Sequence, residues 1–248
     1  MMARACFIDM GNSRIKLWLC DGQQVIANYA VAHQYSPDVL RFGLPKEFYQ
    51  GVDFIGVSSV LDDVVNQQLD DLCASLWQLR PKFAKTDYVT LGIECAYENP
   101  KLLGIDRWLN VIAVSHLQPA CVVSCGTALT IDVIDNHQHL GGYILPGMNL
   151  QLSSLIHGTQ RVRPHDIRYS SLDFGRSTSE AVHHGVLFGC VAAIEKAVVE
   201  LQRVTKNNIE VVLTGGDAER LSPHLQIDHV MMPELLLLGL QRYFGHSS

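Results

Sequence analysis

The sequence predicts an α/β protein built from two similar lobes, and two observations carry that prediction. The first is the stretch Phe7–Leu19. An apolar run reaches Asp9, a turn follows at Gly11–Asn12–Ser13, and Ile15–Leu19 resumes with strand-like composition. The pattern is strand, tight turn, strand, with a carboxylate at the end of the first strand. The second is that the same grammar restarts at Ala120. Ala120–Cys125 reads as a buried strand, Gly126–Thr127–Ala128 as a turn, Leu129–Ile134 as a second strand and His139–Ile144 as a third. Placing Gly11 against Gly126 gives an internal repeat of strand–turn–strand–turn–strand units. It sets a boundary near Gln118–Pro119, lobes at 1–118 and 119–248, and polar turns facing each other across a cleft.

The remaining elements follow in order. Gln24–Val31 completes the first meander, and Ser36–Pro37–Asp38 is a helix cap. Phe54–Ser59 is a short buried strand. Val65, Leu69, Leu72, Cys73 and Leu76 recur at helical spacing between Asp62 and Trp77. Lys82–Lys101 is less regular and contains Tyr97, after which a helix runs from near Gly104 to Leu117. In the second half, Pro146–Gly147 precedes a helix through Ile156. Thr178–Leu201 is a long helical pattern with small residues at Gly185, Gly189, Ala192, Ala193 and Ala197. It suits close packing within a lobe or across a subunit interface, core packing being the default. Glu210–Thr214 is a strand running into Gly215–Gly216–Asp217, and Pro233–Phe244 is an apolar C-terminal helix.

Composition narrows the function classes. The chain is 48% hydrophobic and 18% charged, so it can bury a sizeable core. Nineteen Lys and Arg against 25 Asp and Glu give a formal charge of -6, and no dense basic run is present, which argues against general nucleic-acid affinity. The seven cysteines lack zinc-finger spacing and read as reduced cytosolic thiols. No signal-peptide pattern occurs and no apolar run approaches a membrane span, so the protein reads as soluble and cytoplasmic. A P-loop, a GxGxxG fingerprint and a Gly–x–Ser–x–Gly elbow are all missing.

Four stretches carry chemistry. At the first turn, Gly11 allows a phosphate close to the backbone, and Asn12 and Ser13 add polar groups. Asp9 is suited to a divalent ion and Lys16 to phosphate charge; the same residues would also make an ordinary hairpin with a solvated Asp and Lys. At the second turn, the Gly126 backbone, Thr127 and Thr130 suit phosphate oxygens. Asp132 shares a strand face with Thr130 and must be solvated, paired or bound to a cation, unless it faces an edge. Asp106 and Arg107 stand at a loop-to-helix junction, where one can act as a base and the other grip an anion. Asp106 equally suits a helix start, where acids are favoured. Gly215 and Gly216 permit close approach of a flat ring or ribose, although Gly–Gly before a capping Asp is common.

Together these stretches resemble the type III pantothenate kinases of the acetate and sugar kinase/Hsp70/actin superfamily. The matching pieces are Asp9–x–Gly11–Asn12–Ser13–x–x–Lys16, Tyr97–x–x–Pro100–x–x–Leu103–Gly104–x–Asp106–Arg107 and Cys125–Gly126–Thr127–Ala128–x–Thr130–x–Asp132. Gly141–Gly142–x–Ile144–x–Pro146–Gly147, Gly175–Arg176–Ser177–Thr178 and Gly215–Gly216–Asp217 complete the series. They stand in the family's order and span nearly the whole chain. One departure is Thr159–Pro164, where arginine and valine replace a common leucine–proline step.

The resemblance implies two ribonuclease-H-like lobes of the actin-like ATPase fold, with the active site in the cleft between them. It implies ATP-dependent phosphorylation of the pantothenate 4′-hydroxyl, the first step towards coenzyme A. On it, Asp106 is the general base and Asp9 binds magnesium. Gly11, Asn12, Ser13, Lys16, Gly126, Thr127 and Thr130 hold the nucleotide phosphates, and Gly215 and Gly216 border the adenosine. Tyr97, Gly104, Arg107 and Thr178 bind pantothenate, Thr178 across a dimer interface, so a homodimer is implied. Potassium or ammonium is the implied monovalent cation, with Asp132 as its ligand, which would give Asp132 a reason to lack a side-chain partner. Two other readings remain open: a kinase of the same fold acting on another polyol or sugar, and a non-catalytic nucleotide-binding regulator.

Overall fold

The structure, a computed structural model, describes residues 4–164 and 171–245. The chain divides into two compact units, Met1–Ala113 with Glu234–Ser248, and Val114–Pro233.

In the first unit, β1 (Arg4–Met10), β2 (Arg14–Asp21) and β3 (Gln24–Ala32) form the antiparallel meander, with β4 (Val52–Ser59) and β5 (Lys82–Phe83) added in parallel. The strand order is β3-β2-β1-β4-β5. Central β1 is apolar on both faces and almost wholly buried, as a strand flanked on both sides must be. The short α1 (Leu40–Gly43) and the amphipathic α2 (Asp63–Trp77) cover one face. Asp62 starts α2 by accepting the Val65 N–H at 2.9 Å, a standard N-cap. Val65, Leu69, Leu72, Cys73 and Trp77 then pack on Ile8, Leu17 and Ile55. The irregular segment holds the two-residue strands β6 (Val89–Thr90) and β7 (Ile93–Glu94), which pair as a hairpin, and leads into α3 (Ile105–Ala113).

The second unit repeats this plan. Strands β8 (Ala120–Cys125), β9 (Ala128–Asp135) and β10 (Gln138–Pro146) form the meander, and β11 (Glu210–Thr214) and β12 (Val230–Met231) extend it in parallel from β8. The order β10-β9-β8-β11-β12 matches β3-β2-β1-β4-β5 strand for strand and sense for sense. The repeat read in the sequence is therefore a repeat of topology. Helices α4 (Met148–Gly158), α5 (Thr178–Thr205) and α6 (Ala218–Leu221) complete the unit. Arg163, in the segment that departs from the family pattern, donates from Nη1 to the carbonyls of Ile156, Thr159 and Val162, each at 2.8 Å. It ties the chain back onto the end of α4, where unsatisfied carbonyls accumulate.

Two features differ from the sequence reading. The last helix, α7 (Leu235–Tyr243), belongs with the first unit, not with the second half of the chain. Arg242 Nη1 donates to the last α3 carbonyls, Ile112 at 3.1 Å and Ala113 at 2.7 Å, and Phe244 meets the Phe54 ring edge-on at 5.3 Å. Helix α5 is long and apolar enough, by length and composition alone, to cross a membrane, contrary to the expectation that no run approaches one. Its apolarity has a packing cause: Leu187, Cys190, Ile194 and Leu201 lie in the core against Val123 and Leu213.

Candidate active site

The end of β1 sets the first group of residues. Asp9 stands opposite Lys16 in the antiparallel ladder and opposite Ser58 in the parallel one. Such cross-strand neighbours lie close enough for their charges to interact. Burial dominates at Asp9 and raises its pKa from 3.8 to about 7. Lys16 opposes that rise, the negative charge of Asp106 adds to it, and Ser58 opposes it. Ser58 Oγ is buried and favours the charged form of the carboxylate. Asp9 and Lys16 are thus in one electrostatic environment with Asp106, which is distant from them in sequence. The turn after β1 closes with Gly11 N–H donating to Arg14 O at 3.1 Å and leaves Asn12 and Ser13 exposed.

The head of α3 sets the second group. Asp106 lies in the first turn, where the helix dipole favours a carboxylate. Gly104 sits against it: a Cβ there would come within 2.7 Å of Asp106 Oδ1. The glycine therefore makes room for the carboxylate. Arg107 is buried, 5% exposed, and its Nη1 donates to the Tyr97 hydroxyl at 3.0 Å. Its guanidinium also lies 5.9 Å from the centre of the Tyr97 ring, within cation–π range. Four residues from the irregular segment and α3 thereby form two contacting pairs, Gly104 with Asp106 and Tyr97 with Arg107.

In the second unit, the turn after β8 closes with Gly126 N–H donating to Ala128 O at 3.0 Å, and Thr127 is exposed. The Thr127 carbonyl accepts from Gly147 N–H at 2.9 Å, tying the turn to the head of α4. Gly215, with φ 94°, lies so close to Cys125 that a Cβ would fall 2.4 Å from its carbonyl oxygen, and Asp217 N–H donates to that oxygen at 3.0 Å. Only glycine fits both the left-handed backbone and the contact. The Gly126–Thr127 turn and the Gly215–Gly216 loop are therefore adjacent. Thr130 is buried on β9 between Ser124 and Ile144, and Thr178 is exposed at the head of α5. Ser177 caps α5 by accepting from Glu180 N–H at 3.2 Å.

Asp132 departs from expectation. It has a side-chain partner: His139 Nε2 lies 2.9 Å from Asp132 Oδ1, and the two side chains are 0% and 3% exposed. Burial explains the pairing, since an unpaired carboxylate would be strongly disfavoured there. His139 directly opposes Ile134, which puts Asp132 at the diagonal position on the same face, and a bulge between His139 and Gly141 then shifts the register. Sequence reasoning missed three neighbours of the candidate residues: His139 beside Asp132, Ser58 opposite Asp9, and His33, described below, on Gly11. The only available signal was a polar residue inside an apolar strand, which Ser58 and His139 both give.

Comparison with known proteins bears on the family and the fold. The model of the type III pantothenate kinase family matches residues 6–200. A type III pantothenate kinase of Acinetobacter baumannii (strain ACICU) is 41% identical over 246 residues, 98% of each chain. One of Psychrobacter cryohalolentis is 38% identical over 244 residues, 97% of this chain and 98% of the other. Among solved structures, one from Campylobacter jejuni described as a Baf family transcriptional activator aligns with a TM-score of 0.63 at 23% identity, covering 97% of both chains. One from Sinorhizobium meliloti described as a 2-dehydro-3-deoxygalactonokinase protein aligns with a TM-score of 0.59 at 13% identity over 96% of this chain and 97% of that one. At those identities the structural likeness speaks to the fold alone, which is that of the actin-like ATPases and sugar kinases.

Proposed function

The chain belongs to the type III pantothenate kinases, and from that premise we propose how its residues divide the work of the reaction. The protein is an enzyme that phosphorylates pantothenate at the expense of ATP, in coenzyme A biosynthesis. The observation that carries the assignment is the shared environment of Asp9, Lys16 and Asp106.

Asp106 is the general base. Its carboxylate takes the proton of the pantothenate 4′-hydroxyl as that oxygen bonds to the γ-phosphorus and the bond to the β–γ bridging oxygen breaks, releasing ADP. Phosphoryl transfer demands little covalent work from the protein, so the other residues position groups and neutralise charge. Lys16 meets phosphate charge, with Gly11, Asn12 and Ser13 beside it. Gly126, Thr127 and Thr130 are assigned to phosphate oxygens, and Gly215 and Gly216 to the adenosine. Arg107, held by Tyr97, is assigned to the pantothenate carboxylate, with Gly104 and Thr178 also at the substrate.

A divalent cation fits Asp9: its buried carboxylate lies near a second carboxylate, and Lys16 does not fully offset the cost of ionising it. Asp9 would hold magnesium, which when bound neutralises charge on the β- and γ-phosphate oxygens. Potassium or ammonium at Asp132 is a part of the same reading. A carboxylate oxygen suits such hard cations, and His139 fixes the carboxylate's orientation as a ligand's hydrogen-bond partner does.

A homodimer supplying Thr178 across its interface is supported by apolar side chains left exposed in the second unit. Phe174 is 99% exposed and Phe188 61%, both near Thr178 in sequence, and Tyr143 and Ile144 are exposed on β10. The reading places the enzyme in the cytoplasm, with no nucleic-acid or membrane partner. The seven cysteines are all free, which suits a reducing compartment.

The test compares pantothenate with pantothenol, which has a hydroxymethyl group in place of the carboxylate. Pantothenol should be a much poorer substrate for the native enzyme, and Arg107→Ala should lose that preference. Equal phosphorylation of both by the native enzyme would remove Arg107 from its role. Replacing potassium by sodium should depress turnover; full activity in sodium would refute the cation assignment.

A further inference from the structure

His33 directly follows β3 and is buried, 8% exposed. Its backbone N–H donates to Ser13 O at 3.3 Å, and its ring Nε2 lies 2.8 Å from Gly11 O. On the other side of the ring, Tyr35 N–H donates to Nδ1 at 3.0 Å. Tyr35 has φ 58°, a left-handed conformation that a bulky residue rarely adopts, and it is this residue whose amide meets the ring.

The tautomer follows from the contacts. A ring nitrogen that accepts from a backbone amide carries no hydrogen, so the ring's N–H is at Nε2 and is donated to Gly11 O. His33 thus grips two carbonyls of the 11–13 turn. A trans peptide is planar, so the C=O of Gly11 and the N–H of Asn12 point in opposite directions. Fixing the Gly11 carbonyl on His33 therefore fixes the Asn12 N–H on the opposite side, away from the ring.

We propose that His33 is a positioning residue for the nucleotide: by holding the Gly11 carbonyl it aims the Asn12 amide at a phosphate oxygen. The turn is preorganised by a side chain from the end of β3, so that it need not be ordered by the phosphate itself. The proposal rests on the assignment of the 11–16 turn to the nucleotide phosphates.

The experiment measures ATP and pantothenate KM values, kcat and ADP affinity for His33→Ala, His33→Gln and Lys16→Ala in the full-length enzyme. His33→Ala should raise the ATP KM and weaken ADP binding by roughly tenfold, the effect of losing one hydrogen bond to an anion-binding turn. The pantothenate KM should stay within about twofold, because the turn does not touch that substrate. His33→Gln, whose side-chain amide can also donate to Gly11 O, should recover most of the ATP affinity. If His33→Ala does not fold, His33→Phe keeps the ring without the donor and should show the same selective loss. A weakened Lys16→Ala beside a His33→Ala with native ATP and ADP affinity overturns the positioning role while sparing the turn's assignment. Native nucleotide affinity in both variants overturns the turn's assignment and this proposal with it. Equal losses for ATP and pantothenate, unrescued by Gln, make His33 merely structural and also overturn it.

Discussion

His139 Nε2 lies 2.9 Å from Asp132 Oδ1, and the pair is buried in the second unit, one partner on β10 and the other on β9. Removing one partner of a buried pair strands the other without its hydrogen bond. His139→Ala should therefore destabilise the protein by about 3 kcal/mol, measured as a lowered midpoint in urea unfolding. The double variant Asp132→Leu/His139→Leu should recover part of that loss, because a buried pair can be replaced by apolar side chains at little cost. A midpoint for His139→Ala equal to that of the native protein would show that the contact contributes nothing.

Asp9 gives a pH dependence of stability. Its folded pKa, about 7, lies above the ordinary 3.8 of the unfolded chain, because burial disfavours the charged form. Between those values the native state holds a proton that the unfolded state has released. The stability it contributes is fully present below about pH 4 and is lost as pH rises through 7. At pH 8 without magnesium, Asp9→Asn should consequently melt higher than the native protein, with the difference vanishing at acidic pH. The same variant should be inactive, and magnesium with nucleotide should raise the native melting temperature far more than the variant's. An Asp9→Asn protein less stable than native at pH 8 would show that the carboxylate is not burdened as described.

Gly104→Ala separates positioning from folding. The added Cβ would fall 2.7 Å from Asp106 Oδ1, and the flexible carboxylate is what must move. A displacement of about 1 Å at a reacting group can cost up to ~100-fold in rate. The variant should lose roughly ten- to hundredfold in kcat while its melting temperature changes little. Unchanged kcat would mean that Asp106 does not need the space the glycine leaves.

What was legible in the sequence was mostly local. The turn at Gly11–Ser13, its counterpart at Gly126–Thr127 and the helical spacing of Val65–Leu69–Leu72 are short-range patterns, and each became the element it predicted. The repeat was legible because strand and turn order is written linearly along the chain, and the meander and two parallel strands of each unit follow one order. Contacts across distance were not legible. Nothing local to His33 says that its ring lies on Gly11, and nothing near Arg242 says that it closes the end of α3. Asp132 shows the limit most directly: its burial required a partner, but a sequence cannot show that His139, across a bulged hairpin, provides it. Helix α5 is the reverse case, since its composition suits a membrane and only the packing of Leu187 and Ile194 shows what its apolar face covers.

The proposed role of Asp106, taking the proton of pantothenate beside a nucleotide end built around Asp9 and Lys16, is open to direct measurement. The most direct measurement follows 4′-phosphopantothenate by phosphorus NMR, with ATP, magnesium and potassium, for the native enzyme and Asp106→Asn, alongside ATP affinity by calorimetry. The native enzyme should give steady product and Asp106→Asn none, with ATP binding largely preserved. Product formed by Asp106→Asn at a substantial fraction of the native rate would contradict it.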